Sequence, residues 1–106
     1  MKNILIILSL LFSTTLFAQE VKVIQVNAEW NNSNTRLDLE ELTGCIYQFG
    51  WLKHQPQAVQ NDLTSVPVVL IFKDDILVKK YQAGISLKLK ISFEEIQQEI
   101  NAIKKD

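Results

Sequence analysis

An α/β domain on a mixed sheet is what this sequence predicts, and three stretches predict it. Val21 to Asn27 is dominated by β-branched residues whose apolar positions crowd together, as in a strand covered on both faces. Val68 to Phe72 and Ile76 to Gln82 are short runs joined by Asp74-Asp75, which reads as an antiparallel hairpin. Phe93, Ile96, Ile100 and Ile103 recur at spacings of three, four and three behind the capping-box pair Ser92 and Glu95. That is an amphipathic helix with one stripe to lay on a sheet.

The chain begins with a segment that reads as export machinery rather than fold. Lys2 supplies a positive start, Ile4 to Phe12 is apolar apart from Ser9, and Phe17-Ala18 precedes the polar Gln19-Glu20. This is a signal peptide of bacterial style, cleaved after Ala18, so residues 1–18 are expected to be removed and 19–106 to form the domain. The alternative is an uncleaved anchor. Against it, the apolar run is short of the roughly 20 residues a bilayer needs, and Ser13, Thr14 and Thr15 interrupt it. A periplasmic or extracellular location follows. Loss of Lys2 takes the formal charge from −1 to −2, which gives no electrostatic footprint for nucleic acid or an anionic membrane.

Between the first strand and the hairpin the reading is less regular. Ala28 to Asn34 is a polar turn, and Thr35 to Leu42 is helix-like, ending near Thr43 with Gly44 as its stop. A strand entering a turn and then a helix aims the helix's first N–H groups at the turn, where Asn31, Ser33 or Asn34 can cap them. Cys45 to Leu52 is aromatic-rich and reads as the next parallel strand. Pro56 permits a short helix over Gln57 to Asp62. Ile85 to Ile91 alternates apolar and polar residues, which predicts an extended, edge-like segment guarded by Lys88 and Lys90.

Two of these stretches resemble one family. Ala28-Glu29-Trp30-Asn31-Asn32-Ser33-Asn34 is similar to the A-E-W-C-G-P-C corner of thioredoxin-like proteins, with Asn31 and Asn34 where the two cysteines belong. Ser65-Val66-Pro67 and the strand to Asp75 resemble that family's V-P-T segment, and Tyr81-Gln82-Ala83-Gly84 its approach to a glycine. The resemblance implies a thioredoxin-like fold: a mixed central sheet of four strands, open to extension, with flanking helices and without the leading strand–helix unit. It also implies a cis Val66–Pro67 bond. Gln25 stands where many members bury a carboxylate that assists thiol chemistry. Trp30, Val66 and Pro67 would form a shallow groove that docks an extended peptide, with Asn31, Asn32, Ser33 and Asn34 counted among the binding residues; the alternative is that Trp30 simply shields the sheet edge.

The cysteine count limits the chemistry. Dithiol–disulfide exchange needs an attacking and a resolving thiol, and the chain has one cysteine, Cys45. Its plainest role is that of a small buried hydrophobe in a strand. His54 is the single histidine and has no clustered Cys or carboxylate in sequence, so no metal and no cofactor are expected. Asn31-Asn32-Ser33 also matches a glycosylation sequon, a pattern frequent by chance. Two functions then compete. One is an exported, redox-inactive binding or accessory module for an extended peptide or envelope protein. The other is a single-thiol enzyme or redox-responsive protein acting through Cys45.

Overall fold

The computed structural model describes residues 20–105. The expected signal segment lies outside them. Four strands, β1 (Val21–Asn27), β2 (Ile46–Trp51), β3 (Val68–Lys73) and β4 (Ile76–Gln82), form one mixed sheet in the order β2-β1-β3-β4. β1 runs parallel to β2 and antiparallel to β3, and β3 and β4 are antiparallel. The helices are α1 (Gln57–Asp62) and α2 (Phe93–Lys105), with 3-10 segments at Glu29–Asn34, Leu37–Glu41 and Leu52–His54. The molecule is thus a compact α/β domain with a four-stranded mixed sheet and a few helices.

Period-two side-chain placement decides which face of the sheet is the core. Val21 and Val23 of β1 and Val69 and Ile71 of β3 point to one side, where Ile96, Ile100 and Ile103 of α2 cover them. Each such isoleucine, fully buried, contributes about 1.5–3 kcal/mol. Leu39, Leu42 and Leu89 close the same core from the irregular segments. The start of α2 forms as its sequence asks: the Ser92 hydroxyl accepts the Glu95 N–H at 3.1 Å. The opposite face carries the buried Val26 and Val68 and the half-buried Ile24, Leu70 and Phe72, the last two lining a groove with Ala58 and Val59 of α1.

The β3–β4 turn shows how a glycine is dispensed with. Asp74 and Asp75 have φ of 52° and 69°, the left-handed pair that a two-residue hairpin requires and that Asp tolerates better than most residues. Asp74 also donates its N–H to the Glu20 carbonyl and accepts the Glu20 N–H on Oδ1, so the turn is tied to the start of β1. The Val66–Pro67 peptide is cis, the geometry expected of it.

Two expected elements differ. No α-helix occupies 35–42. Thr35 and Arg36 are extended, with ψ of 133° and 95°, and they separate two short 3-10 segments. The cause is Gln25, whose side chain accepts the Arg36 N–H at 2.9 Å and donates to the Arg36 carbonyl at 3.1 Å. With both its backbone groups held by a buried side chain, Arg36 does not enter a helical ladder. The segment 85–91 is not a strand either. It turns at Gly84 to Leu87 and then runs irregularly, although its alternation survives as Leu89 inward and Lys88 and Lys90 outward.

Candidate functional site

β1 ends in two buried amides two residues apart, Gln25 and Asn27, and these build the corner that follows. A buried amide must spend its donors and acceptor inside the protein. Asn27 does so locally. Its Nδ2 donates to the Asn31 carbonyl at 3.0 Å and the Thr35 hydroxyl at 2.8 Å, while Oδ1 accepts the Ala28 N–H at 2.9 Å. The chain is thereby wrapped into the 3-10 turn of Glu29–Asn34 around one side chain. The capping expected of Asn31, Ser33 or Asn34 for a helix over 35–42 is not made: the 3-10 segment Leu37–Glu41 starts from Arg36 and carries no side-chain cap.

Asn31 is the hub. It is only 4% exposed. Its Nδ2 lies 3.1 Å from Asn27 Oδ1, 3.1 Å from the Leu87 carbonyl and 3.4 Å from the Val66 carbonyl. The two N–H bonds serve the nearer pair, and the third contact is long. Asn31 Oδ1 accepts Nδ2 of Asn34 at 2.7 Å. Three chain segments therefore meet on one side chain. Leu87 meets it in the left-handed region, φ 62°, a conformation that costs an L-residue about 1–2 kcal/mol. Its N–H to the Gly84 carbonyl and its carbonyl to Asn31 hold it there.

Arg36 ties the same segment down a second time. Its Nη1 donates to the Ile91 carbonyl at 2.6 Å and the Leu89 carbonyl at 3.3 Å, and Nε and Nη2 make a two-pronged pair with Asp38. Hydrogen bonding to that guanidinium holds the Asp38 carboxyl below its usual range, and the Arg36 pKa is raised by the same contact. Beneath it, the Tyr47 hydroxyl accepts Gln25 Nε2 at 2.7 Å. Burial pushes the Tyr47 phenol up, and the Gln25 bond offsets part of that.

Asn31, Asn34 and Val66 come together as the sequence suggested, while Asn32 and Ser33 are exposed, Asn32 joining at the margin by accepting the Thr35 N–H at 3.0 Å and the Thr35 hydroxyl at 3.5 Å. Val66 and Pro67 are buried. Trp30 is 71% exposed and lines a separate cleft of about 160 Å³ with Ala28, Leu52 and Gln60, flanked by the Glu29–Lys53 ion pair at 2.7 Å. The sequon is closed in the folded chain, because the Asn31 amide is buried and bonded. Asn27, Arg36 and Leu87 were missed at the level of sequence. Asn27 had a readable signal: a polar residue ending an apolar strand, four before another Asn.

Cys45 is half-buried just ahead of β2 rather than enclosed in the strand, and it is a free thiol. Burial pushes its pKa up, with Lys104 nearby opposing the shift. The reactive thiolate is thus scarcer than in an open thiol. Alkylation of Cys45 at neutral pH is expected to be slower in the folded protein than in the same chain in denaturant, and to quicken as pH rises. Equal rates folded and unfolded would refute this. Among the described residues no cluster of three His, Cys, Asp or Glu gathers as a metal would need, and no helix is long and apolar enough to cross a membrane.

No protein-family model matches this chain, and no curated protein matches it. What the fold and corner define is an α/β domain whose strand–turn corner is filled by mutually bonded amides.

Proposed function

We propose that this protein is an exported, thioredoxin-like binding or accessory module that docks an extended peptide beside Trp30 and performs no dithiol chemistry. The carrying observation is Trp30 itself, which leaves most of a large indole in solvent at the mouth of an apolar cleft. Large aromatics cost little conformational entropy to fix and recur as anchors of binding surfaces. Thioredoxin-likeness rests on the Ala28-Glu29-Trp30 corner and the Ser65 to Asp75 segment, together with a mixed sheet compatible with that fold. Asn31 and Asn34 stand where the resemblance would put thiols, and the Asn31 amide and the Asn34 Nδ2 are already engaged with protein. Chemistry through Cys45 is the less favoured reading, since burial disfavours its thiolate.

Selection from a displayed library of extended peptides tests this. The protein is expected to enrich related sequences, and Trp30→Ala is expected to abolish the enrichment without lowering thermal stability, because the indole is exposed. No enrichment, or equal enrichment by both proteins, would overturn the proposal.

A further inference from the structure

We infer that the chain pairs with a second copy of itself along β2, antiparallel across a two-fold axis, joining two sheets into one. This goes beyond the peptide reading and does not use Trp30. The sheet order leaves β2 and β4 as edges, and the two edges are built differently. β4 carries Lys79 and Lys80 near its middle and pairs with β3 through a register irregularity at Ile71/Phe72. Edge lysines and bulges are devices that keep foreign strands away. β2 has neither. Its six residues, Ile46 to Trp51, include no charge, and its register with β1 is unbroken. Among the described residues, only β1 bonds the backbone of residues 46–50, and at the strand's last residue the Trp51 carbonyl accepts the Gln55 side chain at 3.1 Å.

The side chains of β2 are self-complementary. Tyr47, Phe49 and Trp51 alternate onto one face. Phe49 is 39% exposed and stands edge-on to Trp51, ring centroids 4.9 Å apart. Antiparallel pairing centred on Phe49 sets Phe49 against its own copy, Tyr47 against Trp51 and Gln48 against Gly50. The aromatic row then continues across the axis, and directly opposed aromatic pairs favour a sheet. The same rotation carries Glu40, which lines a groove with Tyr47 and Phe49, toward the Lys53–His54 end of the other copy's strand. Lys53 there is already ion-paired with its own Glu29 at 2.7 Å, so the aromatic row rather than charge carries the pairing. Pairing β4 about its own middle would instead bring lysine onto lysine, and like charges directly opposed destabilise a strand pair.

The test is sedimentation equilibrium over a range of concentrations, on full-length gene product purified in the form the cell leaves it. Mass is expected to rise toward twice that of one chain. Phe49→Lys, which copies the guard of β4 onto β2, is expected to weaken association at least tenfold, or about 1.4 kcal/mol. Val78→Lys on the β4 edge is expected to leave it unchanged. Circular dichroism is read on each variant. Since Phe49→Lys risks unfolding the chain, Gln48→Lys, at an exposed polar position, is the second probe and is expected to weaken association in the same direction. A monomer at every concentration overturns the inference. So does a dimer that survives both β2 variants, or one lost through Val78→Lys.

Discussion

Asn31→Asp is expected to destabilise the fold by about 3–4 kcal/mol at pH 7, and Asn31→Ala by about 2–3 kcal/mol. The alanine removes the donors to Asn27 and Leu87 and the acceptor of Asn34, and each lost bond of this kind is worth about 1 kcal/mol net. Leu87 also loses the partner that rewards its left-handed backbone. Aspartate is worse because an oxygen replaces the amide nitrogen among Asn27 Oδ1, the Leu87 carbonyl and the Val66 carbonyl. Asn27 cannot turn its own amide to help without giving up the Ala28 N–H.

The penalty has a pH signature. Folding disfavours the charged form of the introduced carboxyl, so its folded pKa lies above the unfolded value of about 3.9. Below that value both states are protonated and the extra cost is absent. As pH rises from there through the folded pKa, the variant loses stability relative to the parent, then levels off. Urea unfolding of parent and variant at several pH values between 4 and 8 measures the gap. A gap that stays constant or narrows as pH rises would mean that Asn31 does not face three oxygens.

The strands were legible because their cause is local. β-Branched and aromatic runs such as Val21 to Val26 and Cys45 to Leu52 have few other ways to fold, and α2 announces itself by cap and stripe together. The hairpin was legible too, down to the aspartates replacing its glycine. What failed was local reasoning about residues whose partners are distant in sequence. Thr35 to Leu42 has an acceptable helical composition, but Gln25, eleven residues before Arg36, takes the backbone groups that a helix would use. Ile85 to Ile91 alternates like a strand, yet Arg36 and Asn31, more than fifty residues earlier, fix its carbonyls one by one. Asn31 and Asn34 were readable as the positions of interest. Their present work, a closed amide network, was not, because it depends on Asn27, Val66 and Leu87 arriving from three directions.

Gln25 carries the second large effect. Gln25→Leu is expected to cost about 2–4 kcal/mol, although it places more apolar surface in a fully buried position. Gln25 makes three side-chain bonds: it holds the Arg36 N–H at 2.9 Å and the Arg36 carbonyl at 3.1 Å, and it donates to Tyr47 at 2.7 Å. Leucine keeps the volume and satisfies none of them. The Arg36 backbone is left unpaired between two short 3-10 segments, and the Tyr47 hydroxyl loses its donor inside the sheet face. For a domain of this size each kcal/mol moves the midpoint of thermal unfolding by about 4–8 °C, so a fall of roughly 8–32 °C is expected. Hydrogen exchange separates this from a general loss of packing. The Arg36 amide should lose protection disproportionately, while amides of the β3–β4 pair, which make no contact with Gln25 through these bonds, should fall only by the global loss of stability. An Arg36 amide that keeps its relative protection in Gln25→Leu would show that the extended Thr35–Arg36 step is set by something other than Gln25.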